Sequence, residues 1–141
     1  MKLKDSLESQ GQYLFKNRGF IPLLFVLFSI PVSYFNSYDY LTQYEAIEYI
    51  VLISSLLFVF CGHCIRIHVV LSRNESTSGR NRDGQVANSL NTDGWYSLVR
   101  NPLYFANFLI WFGLSIYLFS FWLSILLFLA FWIYYERIIY A

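Results

Sequence analysis

Between a polar loop and the most apolar third of the chain, residues 94–104 read Gly94-Trp95-Tyr96-Ser97-Leu98-Val99-Arg100-Asn101-Pro102-Leu103-Tyr104. Asn101 can serve as the N-cap of a helix, and Pro102 suits the first helical position because its missing N–H costs nothing there. The same run also places an arginine, an amide and tyrosines at the mouth of that helix. It therefore predicts both the start of a membrane helix and a polar site at its end.

The apolar third runs from Leu103 to Tyr135. A single helix over this run would be about 50 Å long, whereas the hydrocarbon core of a bilayer is roughly 30 Å thick. The chain must therefore fold back, and the best place is Phe119-Ser120-Phe121-Trp122. We expect residues 103–141 to form a tight helical hairpin.

The N-terminal half predicts two further spans. Residues 1–19 carry lysines and an arginine with leucines near one helical face, which is typical of a short amphipathic segment at the membrane interface. Residues 20–71 then hold one span from about Phe20 to Phe35 and a second from about Ala46 to Leu71. Because the chain is 57% hydrophobic and only 13% charged, it does not suit a soluble domain. We expect an all-α integral membrane protein with about four transmembrane helices.

The basic residues predict the orientation. The N-terminal segment and the 72–102 loop each carry four Lys or Arg, and the 36–46 connection carries none. The positive-inside rule then places both termini and the long loop in the cytoplasm. The Asn74-Glu75-Ser76 sequon would lie on the wrong side for glycosylation. No basic block indicates nucleic acid.

Polar residues within the spans leave alternatives open. Cys61, Cys64 and His68 share one helical face, and metal or haem binding there is the least favoured function. The favoured interpretation is that small residues permit close helix packing. Arg66 lies near the end of the second span, where it either snorkels to the headgroups or faces the bundle to meet an anionic ligand.

Glu136 and Arg137 end the last span on the same membrane face as the 94–104 stretch. They are ordinary cytoplasmic anchors by one interpretation. By the other, the two legs of the hairpin bring them into a pocket with that stretch. No carboxylate lies in the middle of a predicted span, which disfavours a proton-coupled transporter.

Many positions between residues 60 and 141 follow one pattern at fixed spacing. They are Ser78-Gly79-Arg80-Asn81, Gln85, Ala87, Leu90-Asn91-Thr92, Gly94, Tyr96-Ser97, Val99-Arg100, Pro102-Leu103-Tyr104, Asn107-Phe108, Gly113 and Tyr135-Glu136-Arg137. In this pattern the chain resembles the isoprenylcysteine carboxyl methyltransferase family, integral membrane enzymes related to the phospholipid methyltransferases.

The resemblance implies methyl transfer from S-adenosylmethionine, bound from the cytosol, to an amphipathic acceptor that enters from the bilayer. The acceptor is a prenylcysteine, a phospholipid amine or another membrane lipid. Arg100 and Arg137 are the candidate catalytic residues, because an arginine can orient a carboxylate acceptor bidentately. The residues implied for cofactor binding are Tyr96, Arg100, Asn101, Pro102, Tyr104 and Glu136.

The chain departs from the family pattern at two places. The usual histidine is Asn101, an amide that keeps a donor and an acceptor but carries no proton or charge. The chain ends at Ala141, about where the family's paired glutamates and C-terminal cytosolic segment would begin. We therefore expect a truncated form, a fragment or a degenerate relative whose cofactor site lacks one wall. The alternative function is a non-catalytic membrane module that keeps the methyltransferase fold.

Overall fold

The computed structural model describes residues 3–35, 45–72, 92–118 and 121–140. Over these ranges the protein is helical and contains no strand. The helices are α1 (Leu3–Lys16), α2 (Ile21–Phe35), α3 (Glu45–Leu71), α4 (Trp95–Leu98), α5 (Pro102–Tyr117) and α6 (Phe121–Tyr140). The predicted all-α class is confirmed.

The helix boundaries follow the sequence signals closely. The second predicted span corresponds to α3, and Pro102 begins α5 as expected. Helix α5 ends at Tyr117, α6 begins at Phe121, and the two helices contact each other; we refer to this helix pair as the hairpin. Residues 119–120 of its turn lie outside the described residues. So do most of the 36–46 connection and the 73–91 part of the long loop, which includes the sequon.

Within the described residues, two helices, Glu45–Leu71 and Trp122–Tyr140, are long and apolar enough to cross a membrane. The other two predicted spans form helices of 15 residues in α2 and 16 residues in α5. Their lengths of about 22 and 24 Å are less than a full hydrocarbon core. The four-span arrangement therefore stays a prediction.

Helices α3 and α5 pack closely through small residues. Gly62 of α3 lies against α5, where an added Cβ would come within 2.8 Å of the Ala106 carbonyl oxygen. Gly113 of α5 lies against α3 in the same way, and the hydroxyl of Ser55 donates to the Gly113 carbonyl at 2.8 Å. Residues 55 and 62, like residues 106 and 113, are seven apart, which keeps them on one face over two helical turns. Small residues thus set the close approach of the two backbones.

The N-terminal helices pack on α6. Helix α1 lies against α6, and Gly11 is its buried residue. The ring of Phe25 in α2 packs at a tilt of 38° against the ring of Phe131 in α6, with centroids 5.2 Å apart. Phe131 and Ile138 are each only 1% exposed, so this face of α6 forms part of the protein core. The interfacial position predicted for residues 1–19 stays a prediction.

Candidate functional site

The stretch that precedes α5 has an irregular backbone that only part of its sequence explains. Gly94 adopts φ 58° and ψ −125°, a positive φ that residues with a Cβ rarely adopt. One helical turn, α4, follows, and its C-cap residue Val99 is extended. Asn101 is the N-cap of α5, as predicted, and its carbonyl accepts from the backbone N–H of Tyr104 at 3.0 Å. Its side chain makes no cap hydrogen bond.

Two aromatic residues of this stretch anchor it to α3. Trp95 and Tyr96 pack against a buried cluster formed by Ile65, Val69 and Ala106. Residues 65 and 69 are one turn apart on α3, so they present a single apolar ridge to the incoming chain. This anchoring fixes where the chain turns into α5.

A cavity of about 660 Å³ lies between the two legs of the hairpin. This volume is within the range of small-molecule sites, about 300 to 1,000 Å³. The described residues that line it are Val99, Arg100, Asn101, Tyr104, Phe105, Phe108, Phe128, Phe131, Trp132, Tyr135, Glu136, Ile139 and Tyr140.

Charged and amide groups collect at one end of this cavity. Arg100 and Asn101 precede the first turn of α5, and Glu136 lies near the end of α6. Because the hairpin is antiparallel, these two ends are neighbours. Tyr104 and Tyr135 stack beside them with ring centroids 4.6 Å apart and planes 17° apart. We call this part, formed by Arg100, Asn101, Glu136 and the two tyrosines, the polar end.

The rest of the cavity is an aromatic groove that leads toward the hairpin turn. Phe108 meets Phe128 edge to face at 5.6 Å, and Phe128 stacks with Trp132 at 6.3 Å. The lining of α6 extends from Phe128 to Tyr140, a rise of about 18 Å. The cavity thus joins a charged end to an apolar groove.

Four predicted site residues, Arg100, Asn101, Tyr104 and Glu136, line this one cavity, although α5 and α6 contribute them separately. These residues come from both legs of the hairpin, and the assignment of a functional site to them stays a prediction. Three other predicted residues lie outside the lining. Tyr96 packs on α3, and Pro102 is fully buried at the start of α5. Arg137 follows Glu136 by about 100° around α6, away from the cavity face.

The sequence interpretation missed the aromatic lining. On α6 the residues Phe128, Trp132, Tyr135 and Ile139 follow spacings of four, three and four, which place them on one helical face. The signal was present, but every face of α6 is apolar or aromatic, so periodicity could not single out this one.

The hydrogen bond between Arg66 and α5 was also not predicted from the sequence. The Nη1 of Arg66 donates to the Oδ1 of Asn107 at 2.7 Å. The Asn107 side chain in turn lies within hydrogen-bonding reach of the Tyr135 side chain. A polar side chain in an otherwise apolar helix was the available signal for Asn107.

His68, part of the alternative metal site on α3, contacts residues outside that site. The ring of His68 meets Trp95 edge to face at 6.4 Å. Its Nδ1 is 3.4 Å from the Ser72 hydroxyl. Both cysteines are free and exposed, and no group of three metal-binding side chains occurs within residues 3–35, 45–72, 92–118 and 121–140.

Comparison with known proteins bears on the part of the chain that contains the cavity. The family model described as phospholipid methyltransferase matches residues 50–141. This match covers most of α3 and all of α4, α5 and α6. No curated protein and no solved structure matches the chain.

Proposed function

The chain belongs to the phospholipid methyltransferase family, and from this membership we propose that it transfers a methyl group from S-adenosylmethionine to a lipid-like or prenylcysteine-like acceptor at the cytoplasmic membrane face. The observation that carries the proposal is the cavity of the hairpin. Its polar end suits a small charged cofactor, and its aromatic groove suits the apolar part of an acceptor.

The polar end offers groups that fit S-adenosylmethionine. Arg100 can pair with the cofactor carboxylate through two parallel hydrogen bonds. Glu136 can accept from its ammonium or from its ribose hydroxyls. The faces of Tyr104 and Tyr135 can stabilise a cationic sulfonium. The N-terminus of α5 adds backbone N–H donors and a positive dipole end that favour a carboxylate.

The groove supports an acceptor with a long apolar part. Phe105, Phe108, Phe128 and Trp132 bury aliphatic groups without requiring a hydrogen bond from them. When bound, the cofactor supplies a methyl group that its sulfonium already activates. The side chains of the cavity then have to align the acceptor with that methyl group and exclude water. An acceptor carboxylate, being anionic at neutral pH, needs no general base.

Methyl transfer from labelled S-adenosylmethionine to a membrane lipid extract or a prenylcysteine analogue tests the proposal. We expect label in the lipid fraction with the native chain. Glu136→Gln should lower the rate roughly tenfold or more, because hydrogen bonds to charged groups are worth about 1.5–3 kcal/mol.

Glu48→Gln is the matched control, because Glu48 lies exposed in the first turn of α3. This variant should transfer at the native rate. If both variants lose activity equally, the loss is not due to the cavity. A native chain that neither binds the cofactor nor transfers label supports the alternative of a non-catalytic membrane module.

A further inference from the structure

Arg66 is a cation inside the longest apolar helix, and its guanidinium reaches across to α5. It lies five residues before the end of α3 at Leu71. An arginine that only snorkels would extend along its own helix to the headgroups. Here Nη1 instead donates to the Oδ1 of Asn107 at 2.7 Å. Among the described residues no carboxylate pairs with Arg66, so its protein partner is a neutral amide.

An arginine so placed needs a reason. A charged side chain in an apolar span is costly and is rare where no role maintains it. A neutral residue would join α3 to α5 at lower cost, since Gly62, Gly113 and Ser55 already hold these helices together. The contact with Asn107 therefore points to a role beyond helix packing.

Asn107 lies between Arg66 and the residues that line the cavity. Its side chain lies within hydrogen-bonding reach of the Tyr135 side chain on α6, and it is one turn beyond Tyr104 on the same face of α5. The Tyr135 ring stacks on Tyr104 at 4.6 Å, and both rings line the polar end. Because a side-chain amide has a donor and an acceptor end, engaging its oxygen from Arg66 fixes which end faces its other neighbour. Arg66, Asn107 and Tyr135 thus form one connection across α3, α5 and α6.

We propose that Arg66 is a positioning residue for the cofactor end of the cavity. Through Asn107 it holds the Tyr135 hydroxyl and so sets the stacked pair of Tyr104 and Tyr135. The kinetic consequence rests on the proposed function, whereas the three-helix connection does not. Since these rings lie beside Arg100, Asn101 and Glu136 rather than in the groove, loss of the connection should weaken cofactor binding and spare acceptor binding.

Steady-state kinetics separate this role from a structural one. For Arg66→Leu we expect the KM for S-adenosylmethionine to rise about tenfold, while the KM for the acceptor changes less than about twofold. Arg66→Lys keeps the charge and one donor, and should return the cofactor KM to within about threefold of the native value. His63→Leu, which removes another polar side chain from α3, should leave both constants unchanged.

A double-mutant cycle tests the connection without relying on activity. Arg66→Leu and Asn107→Leu should each lower the thermal unfolding midpoint of the purified protein. The unfolding midpoint of the double variant should fall no further than that of the worse single variant, because both changes remove the same contact.

A kinetic test addresses the Tyr135 hydroxyl. Tyr135→Phe, which keeps the stacked ring, should raise the cofactor KM as Arg66→Leu does. Combining the two substitutions should raise it no further.

The outcomes distinguish the two proposals. If the native chain transfers no methyl group but the midpoints are non-additive, the proposed function fails and the connection stands. If the native chain is active and Arg66→Leu leaves the cofactor KM within about twofold, the positioning role is overturned. Additive midpoints, or equal rises in the KM for cofactor and acceptor, overturn it as well.

Discussion

Asn101 has the position of an N-cap without the hydrogen bond that usually accompanies it. Its backbone carbonyl starts the hydrogen-bond ladder of α5, while its side chain makes no cap contact and lines the cavity. The amide is therefore available to a ligand at the polar end. A histidine, usual at this place in the resembling family, would offer a ring that can carry charge, whereas the amide offers only a donor and an acceptor.

Replacing Asn101 should separate stability from activity. For Asn101→Ala we expect the free energy of unfolding to fall by less than the about 1 kcal/mol typical of a lost side-chain cap. Methyl transfer should fall about fivefold, which corresponds to one neutral hydrogen bond of about 1 kcal/mol to a bound ligand. Thermal unfolding and initial rates measure the two effects.

Ser97→Ala provides the opposite case. Its hydroxyl donates to the Gly94 carbonyl at 2.7 Å within the turn before α5, and Ser97 does not line the cavity. We expect this variant to lose a little stability and to keep its rate. The interpretation of Asn101 is wrong if Asn101→Ala lowers the free energy of unfolding by the about 1 kcal/mol of a lost side-chain cap while the rate of methyl transfer is unchanged.

At the residue scale, the sequence best predicted the positions of side chains that suit only one structural environment. Pro102 indicated the first turn of α5, because its ring excludes it from most other helical positions. Tyr96 was predicted for the cofactor site, and the structure places it against α3 instead. A tyrosine has an apolar ring and a polar hydroxyl. The residue type alone therefore does not show whether it packs in the core or lines a polar site.

At the scale of elements, α3 and α5 are held together where side chains are smallest. An added Cβ on Gly113 would lie 2.8 Å from the Ser55 carbonyl oxygen and 3.0 Å from the Phe58 Cβ. The first of these atoms belongs to the backbone, which cannot move aside cheaply. The two helices would have to separate to admit even one methyl group.

Gly113→Ala should therefore destabilise the protein by about 1–3 kcal/mol, as overpacking of a well-packed interface does. Unfolding of the purified protein, followed by the loss of helical signal on heating, measures this. Gly19→Ala is the matched control, because nothing lies within 4 Å of the position of its Cβ. Equal unfolding midpoints for the two variants would contradict the packing role of Gly113.

Helix existence could be predicted from the sequence, but helix pairing could not. The apolar runs are long and bounded by Pro102 or by polar loops, so α3, α5 and α6 lie close to their expected limits. Their apolar residues occupy every face, since lipid and protein contacts favour the same side chains. Which faces meet depends on small residues such as Gly62 and Gly113, whose role appears only when both helices are seen together.

At the scale of the whole molecule, α6 serves two neighbours. One face lines the cavity, and an adjoining face that includes Ile138 receives the N-terminal helices, with Phe131 shared between the two. Residues 3–35 precede the segment that matches the family, 50–141. They extend the structure by supporting the helix that carries Glu136 and Tyr135, without lining the cavity themselves.

The charges of the chain predict its orientation in the membrane. The N-terminal segment and the 72–102 loop each carry four basic residues, whereas the 36–46 connection carries none. In a Cys61→Ser, Cys64→Ser background, we expect single cysteines at Ser6 and Ser78 to react with an impermeant maleimide only from the cytoplasmic side. A cysteine at Tyr38 should react only from the opposite side, because the one predicted span between Ser6 and Tyr38 is α2.

This labelling pattern also decides whether α2 crosses the membrane. Helices α2 and α5 are short for a full crossing, so a chain in which only α3 and α6 cross is the competing arrangement. In that arrangement α2 does not cross, and the cysteines at Ser6 and Tyr38 react from the same side. Opposite reactivity of these two positions requires α2 to span by thinning the bilayer locally, at a cost of fractions of a kcal/mol per Å of mismatch. Local thinning of the bilayer thus makes the short helices compatible with the four-span arrangement. Reactivity of the cysteines at Ser6 and Tyr38 from the same side would contradict that arrangement.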